Sequence, residues 1–188
     1  MDIFEQVRKC RLCEGTLSMG ANPIIQGTTQ AKILIIGQAP GLKAHQSNKA
    51  FNDPSGDRLR AWLSVNHEQF YNPDLFAIVP MAFCYPGKGK SGDLPPPKIC
   101  APTWHKPVLK TLNQVSLTLL VGQYAQKCYL SHYSTVTEAV KAADFANQNP
   151  LPLPHPSPRN QIWLKKHSWF ETCAVPQLQA RVKAAIAH

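Results

Sequence analysis

Two short loops and four cysteines hold most of the chemistry this sequence can offer. The first loop is Gly37-Gln38-Ala39-Pro40-Gly41. A glycine at each end lets the backbone approach a ligand and take dihedrals that other residues avoid. Free N–H groups in such a turn hold an anion or a carbonyl oxygen. The same pattern also serves as an ordinary tight turn between strand and helix. The second loop is Leu153-Pro154-His155-Pro156-Ser157-Pro158-Arg159-Asn160. Its prolines stiffen the setting of one histidine. A lone histidine is commonly structural, but a fixed imidazole can stabilise negative charge developing on a bound group. Arg159 has the charge to contact phosphate, or it stays a solvated surface side chain.

Cys10 and Cys13 form a CxxC near the start, and Cys84 and Cys100 follow with 15 residues between them. Four thiolates suit zinc or an iron–sulfur cluster. The second pair is not a CxxC, which disfavours a zinc ribbon. A redox pair at Cys10 and Cys13, or thiols with no ligand at all, are the other readings. Cys128 and Cys173 lie inside apolar helical patterns and are expected in the core.

These residues need a scaffold, and the apolar runs supply one. Ile33-Leu34-Ile35-Ile36 ends in Gly37, Phe76-Ala77-Ile78-Val79 ends in Pro80, and Leu117-Thr118-Leu119-Leu120-Val121 ends in Gly122. A fourth run, near Leu151–Leu153, is broken by Pro152, which weakens it as a strand. Continuous rather than alternating apolar runs suit a parallel sheet covered on both faces. Helical spacing lies between them: Leu59, Trp62 and Leu63 after Ser55, a stretch within residues 98–113, and Tyr124, Cys128 and Tyr129 after Gly122. Ser168 and Glu171 fit a capping box opening a last helix, which Pro176 would kink or split. Strands and helices alternate, so the expected fold is α/β: a three-layer α/β/α sandwich with a central, mainly parallel four-stranded sheet. In such sheets ligands bind beyond the carboxyl ends of the strands. The loops at Gly37, Pro80, Gly122 and Pro154 are therefore expected on one face.

The chain of 188 residues suits a single domain, residues 1–188, that needs no disulfides to fold. Its net charge is +9 with histidine neutral. Residues 75–110 and residues 155–188 carry +4 each, so two segments hold nearly all of the excess. That points to a polyanion, nucleic acid or an anionic membrane. No apolar run reaches the ~20 residues of a membrane span. The opening MDIFEQVRKC carries acids and has no apolar signal core, so a cytoplasmic location with reduced thiols is expected. The prolines number 17 and cluster at residues 95–107 and 150–158, which makes those stretches rigid loops able to hold a site in place.

The first loop, followed by His155-Pro156-Ser157-Pro158-Arg159-Asn160, resembles the two signature loops of the uracil-DNA glycosylase superfamily. Cys10-x-x-Cys13, an early Gly27, the strand into the first loop, and Cys84 and Cys100 at this spacing resemble its iron–sulfur (family four) branch. The second loop is worded more like the single-strand-selective monofunctional branch. The resemblance implies that residues Gly37, Gln38, Ala39, Pro40 and Gly41 face the uracil and its attacking water, with the Gln38 backbone near the base. It implies that the flipped uracil stacks on Phe51, and that His155 stabilises negative charge on uracil O2. Ser157, Pro158 and Arg159 would belong to the loop that probes the duplex. Cys10, Cys13, Cys84 and Cys100 would bind a structural 4Fe–4S cluster. DNA would be the partner, with no membrane, and the protein a monomer.

Three positions depart from that family. The iron–sulfur branch usually has an acid where Gln38 stands, and the classical branch has a water-activating aspartate where Ala39 stands. Many branches place an asparagine in the stretch that here reads Val79-Pro80-Met81-Ala82-Phe83. Asp53 and His45 are the nearest substitutes for the missing acid, and Asp53 is the preferred catalytic residue beside His155 and Gln38. Asp53 follows Phe51 by two, which puts both on one side of an extended segment. An aspartate there also suits the cap of a helix.

The expected function is monofunctional removal of uracil, or of a related deaminated base, leaving an abasic site. No lysine stands at a recognisable Schiff-base position. A glycosylase for a deaminated purine, a DNA-binding relative without catalysis, and a small-molecule hydrolase are the competing readings. Lys88, Lys90, Arg159, Lys165 and Lys166 are the expected backbone contacts.

Overall fold

The computed structural model describes residues 1–187. Its strands are β1 (Ile33–Ile36), β2 (Phe76–Ile78), β3 (Lys88–Gly89), β4 (Gly92–Asp93), β5 (Leu117–Val121) and β6 (Leu151–Leu153). Its helices are α1 (Ile3–Arg8), α2 (Leu42–Ser47), α3 (Pro54–Leu63), α4 (His67–Phe70), α5 (Cys100–Leu109), α6 (Gln123–Tyr129), α7 (Val136–Ala142), α8 (Gln161–Lys166) and α9 (Val175–Ala187).

The four expected strands form one sheet in the order β2-β1-β5-β6, parallel throughout. The run of isoleucines in β1 is explained by two cores, not one. Ile33 and Ile35 face a cluster with Leu59, Trp62, Phe170 and Leu178. Leu34 and Ile36 face the opposite cluster, with Phe4, Val7, Val108 and Ala125. Successive strand side chains point to opposite faces, so a strand covered on both sides must be apolar at every position. Helices α3 and α9 cover one face and α1, α5 and α6 the other, which completes the three layers. β6 keeps Pro152 because it pairs only with β5 and lies at the edge, where a missing N–H costs no ladder bond. A separate antiparallel hairpin joins β3 to β4.

The structure departs from the sequence-based expectations at three places. Cys128 and Cys173 are exposed, on the outer faces of their helical segments, and not in the core. Ser168 and Glu171 make no capping box. The Glu171 carboxylate instead accepts the indole N–H of Trp62 at 2.9 Å. The interruption expected at Pro176 is present: a π-helical turn, Phe170–Ala174, runs directly into α9, with Pro176 as its second residue. The helix expected to be capped by Ser55 starts two residues earlier, at Pro54, and Asp53 is its cap.

No helix among the described residues is long and apolar enough to cross a membrane.

Candidate active site

The carboxyl ends of all four parallel strands open into one cleft of about 670 Å³. Gly37, Pro80, Gly122 and His155 all line it, so the four loops share a face as expected. The first loop is pinned where it leaves β1: the Met81 N–H donates to the Gly37 carbonyl at 2.9 Å and the Ala82 N–H to the Gln38 carbonyl at 3.1 Å. Those bonds use the loop's carbonyls. The N–H groups of Gln38 and Ala39 donate to no carbonyl among the described residues. They remain available to an acceptor in the cleft.

Phe51 lines the same cleft, over the first loop. A Cβ at Gly37 would stand 3.4 Å from the end of the Phe51 ring. The ring sits edge-on to Phe70, with centroids 6.1 Å apart. The backbone of Phe51 is left-handed, with φ of 54°, a conformation that costs about 1–3 kcal/mol for a residue with a Cβ. Its surroundings enforce it. The Phe51 carbonyl accepts from Arg60 Nη1 at 3.1 Å, and Tyr71 donates its hydroxyl to the Ala50 carbonyl at 2.8 Å. Gly56 makes room for that carbonyl, since a Cβ there would fall 1.7 Å from the Phe51 oxygen. Arg60 is buried and balanced by Asp57, 2.7 Å away.

His155 lines the same cleft. Its Nδ1 accepts the Ser157 N–H at 3.1 Å, which leaves the proton of the neutral ring on Nε2. The Asn160 amide donates to the His155 carbonyl at 3.0 Å, and Arg58 donates to the Ser157 carbonyl at 3.2 Å. Gly122, at φ of +81°, admits the ring; a Cβ there would stand 3.3 Å from His155 Cδ2. Gln126 donates to the carbonyls of Leu120 and Leu153 at 3.0 and 2.8 Å, and so ties together the two strands that carry this corner. Burial holds the imidazole pKa below its ordinary value, against a smaller opposing pull from Asp53. The site therefore holds a neutral histidine with one donor nitrogen at neutral pH.

The segment from Phe51 to Asp53 is not extended as expected, since Phe51 is left-handed, but Asp53 takes both the cleft position and the cap. It lines the cleft, and its Oδ1 accepts the Gly56 N–H at 2.8 Å as the cap of α3. His45 is not among the lining residues; its ring packs at 5.9 Å from that of Tyr85. The sequence reasoning passed over Asp93, on β4, which also lines the cleft. Burial raises its carboxyl pKa, while Arg159 pulls the other way. Arg58 was missed as well. Asp93 is one acid in a glycine-rich stretch with no helical or strand periodicity, so only its tertiary position marks it.

The two basic segments meet here. Arg159 Nη1 donates to the Ser91 carbonyl at 3.1 Å, across 68 residues of sequence. That bond docks the His155 loop on the β3–β4 hairpin, which carries the exposed Lys88 and Lys90. Lys165 and Lys166 are exposed in the last turn of α8, outside the cleft lining.

Cys10, Cys13, Cys84 and Cys100 come together at a second place. Burial and the neighbouring thiols push Cys84 up to about 11 and Cys100 up to about 12. Cys10 and Cys13 act on both of them, and Cys10 on Cys13. Cys100 Sγ accepts the Phe83 N–H at 3.4 Å, and Cys84 takes a backbone bond from Asn22. No group of three or more His, Cys, Asp or Glu among the described residues is arranged to hold a metal ion as it stands. All six cysteines are free of disulfides.

A family model described as the uracil DNA glycosylase superfamily matches residues 24–179. That span takes in the sheet, both loops of the cleft, Phe51, Cys84 and Cys100.

Proposed function

The chain belongs to the uracil DNA glycosylase superfamily, a family of DNA glycosylases, and on that premise we propose that it is a monofunctional DNA-repair enzyme that hydrolyses the glycosidic bond of uracil flipped out of DNA. The observation that carries this reading is the presence, in one cleft, of an aromatic face and a neutral histidine with its proton on Nε2. A glycosylase must hold an unstacked base in a fitted pocket. Phe51 supplies the stacking face, with its ring held by the arrangement around Arg60 and Gly56.

Breaking the bond leaves negative charge on the base. His155 Nε2–H donates to that charge, and the N–H groups of Gln38 and Ala39 add donors from the first loop. Such donors are already oriented before reaction, so no reorganisation is needed as charge appears. Asp53 keeps one carboxylate oxygen beyond its capping bond, and its charge favours the electron-poor sugar of the transition state. Gly37, Pro40 and Gly41 shape the loop around the base. Ser157 and Arg159 line the cleft, with Pro158 between them, and on this reading the three probe the duplex while Lys88, Lys90, Lys165 and Lys166 contact the backbone of the DNA.

On the same reading the four thiols would hold a 4Fe–4S cluster, the group the resemblance to the iron–sulfur branch implies, and they must draw closer than they now stand to do so. The donor set is all sulfur, Cys10 and Cys13 act electrostatically on Cys84 and Cys100, and those two already accept backbone N–H groups. The cluster would tie the segment after α1 to the loop of residues 84–100 and take no part in the chemistry.

One observation favours a second reading. The β2 end of the cleft presents Pro80 and no asparagine, so the edge of uracil has no amide reader from that side. A deaminated purine is the alternative base. A panel of oligonucleotides decides: uracil opposite guanine, opposite adenine and in single strands, against deaminated adenine and guanine. Abasic sites from the uracil substrates support the proposal. Cleavage of purine lesions alone would replace it.

A further inference from the structure

We infer that Asp93 is the carboxylate that takes the proton from the attacking water, and that Arg159 positions it. This rests on the glycosylase reading and adds a residue to it. The first loop offers no acid, since Gln38 and Ala39 stand there. Among the described residues lining the cleft, the only carboxylates are Asp53 and Asp93. Asp53 has one oxygen committed to the cap of α3. Asp93 has no such commitment: no N–H or O–H donor within hydrogen-bond reach of its carboxylate occurs among the described residues.

Asp93 also faces the right loop. A Cβ at Gly41 would stand 3.6 Å from Asp93 Oδ2. The carboxylate thus lies against the last residue of the loop that faces the base. The hairpin that carries it is only two residues deep on each side, with Lys88 opposite Asp93 and Gly89 opposite Gly92. Such a hairpin is marginal alone. Arg159 fixes it, by donating to the Ser91 carbonyl in the turn at 3.1 Å. One guanidinium therefore links the His155 loop, which receives the leaving charge, to the hairpin that carries Asp93.

The charged and titratable groups acting on Asp93 are Arg159 and Lys88, which favour its ionised form, and Asp53, which opposes it. Tyr85 also feels its charge. Asp93 is exposed, but the desolvation of its carboxyl at the cleft outweighs the cations and raises its pKa above that of a free aspartate, which suits proton abstraction. The step balances. One water O–H bond breaks and its proton goes to an Asp93 oxygen. The water oxygen bonds to C1′ of the deoxyribose. The C1′–N bond breaks, and its electron pair leaves with the base, where His155 meets the charge.

The test is single-turnover base release from uracil-containing duplex by the full chain and by Asp93→Asn, Asp53→Asn and Arg159→Gln, with DNA affinity measured for each. Asp93→Asn should slow release by about 100-fold or more with DNA affinity retained. It should also lose the acid limb of the rate profile. Asp93→Ala should regain part of its rate in added formate. Arg159→Gln should move the acid limb to higher pH, because a cation that favours the carboxylate has gone. Wild-type release by Asp93→Asn, or a loss matched by an equal loss of DNA binding, would overturn the assignment. An unsubstituted chain that releases no base from any lesion would overturn the glycosylase reading, and this assignment with it.

Discussion

His155 accepts the backbone N–H of Ser157 on Nδ1, at 3.1 Å. That single bond decides which nitrogen of the neutral ring carries the proton. Nε2 becomes a donor, and the ring orientation is set by a residue two places away in a proline-stiffened loop. The loop can therefore present a donor without any charged partner. Removing the ring should cost what a preorganised donor is worth, about 10²–10³ in rate.

The histidines should also govern stability at low pH. Burial depresses the pKa of His105 and of His155. His105 is held between the Tyr129 hydroxyl at 2.6 Å and the Pro80 carbonyl at 2.9 Å. A histidine that is harder to protonate when folded stabilises the fold fully above its unfolded pKa of about 6.5. That contribution falls as pH drops through 6.5, because the unfolded chain then binds more protons. Urea unfolding between pH 8 and pH 5 should show the loss, and His105→Phe should flatten the slope.

Gly56 should tolerate no side chain. A Cβ there would meet the Phe51 carbonyl oxygen at 1.7 Å, and that carbonyl is already bound by Arg60. Gly56→Ala should lower stability by about 3 kcal/mol, the upper range for overpacking. Because it displaces Phe51, base release should fall further than the lost folded fraction explains. Urea titration beside single-turnover release separates the two effects.

Much of this was legible in the sequence, and the reasons are physical. The continuous run Ile33-Leu34-Ile35-Ile36 needs burial on both sides, and only a covered parallel sheet provides that. Prolines around His155 declare a rigid loop. Asp53 sits where a helix starts, so its capping role was readable beside its place in the cleft. Asp93 was not readable. It lies in a hairpin of glycines and lysines and gains meaning only from Arg159 and Gly41, both far away in sequence. Glu171 misled for a similar reason. Its spacing from Ser168 fits a local cap, but Trp62, 109 residues away, takes its carboxylate. Cys128 and Cys173 share helical patterns with apolar neighbours yet point outward, because one helix has both a buried and an exposed face.

The cysteine site makes a separate prediction. The raised pKa values of Cys84 and Cys100, about 11 and about 12, keep these thiols protonated at neutral pH when no metal is bound, Arg11 offsetting only part of the rise at Cys84. Binding a metal or cluster must release those protons, so loading should improve as pH rises. The loaded protein should be brown, and Cys84→Ser or Cys100→Ser should lose the colour and the iron together. Stoichiometric zinc in a colourless protein would show a different occupant.

DNA binding should depend steeply on salt. Lys88 and Lys90 on the hairpin, Arg159 beside them, and Lys165 and Lys166 on α8 form the proposed footprint. Every phosphate left without its cation should reduce the slope of log affinity against log salt by about 0.9. Lys88→Gln with Lys90→Gln should lower it by nearly two. An unchanged slope would place the backbone elsewhere.

The most direct measurement is single-turnover release of uracil from DNA by the full chain and by His155→Ala. The account predicts abasic sites from the full chain and a rate lower by about 10²–10³ in the variant, with DNA affinity unchanged. Equal rates of uracil release by the two proteins would contradict it.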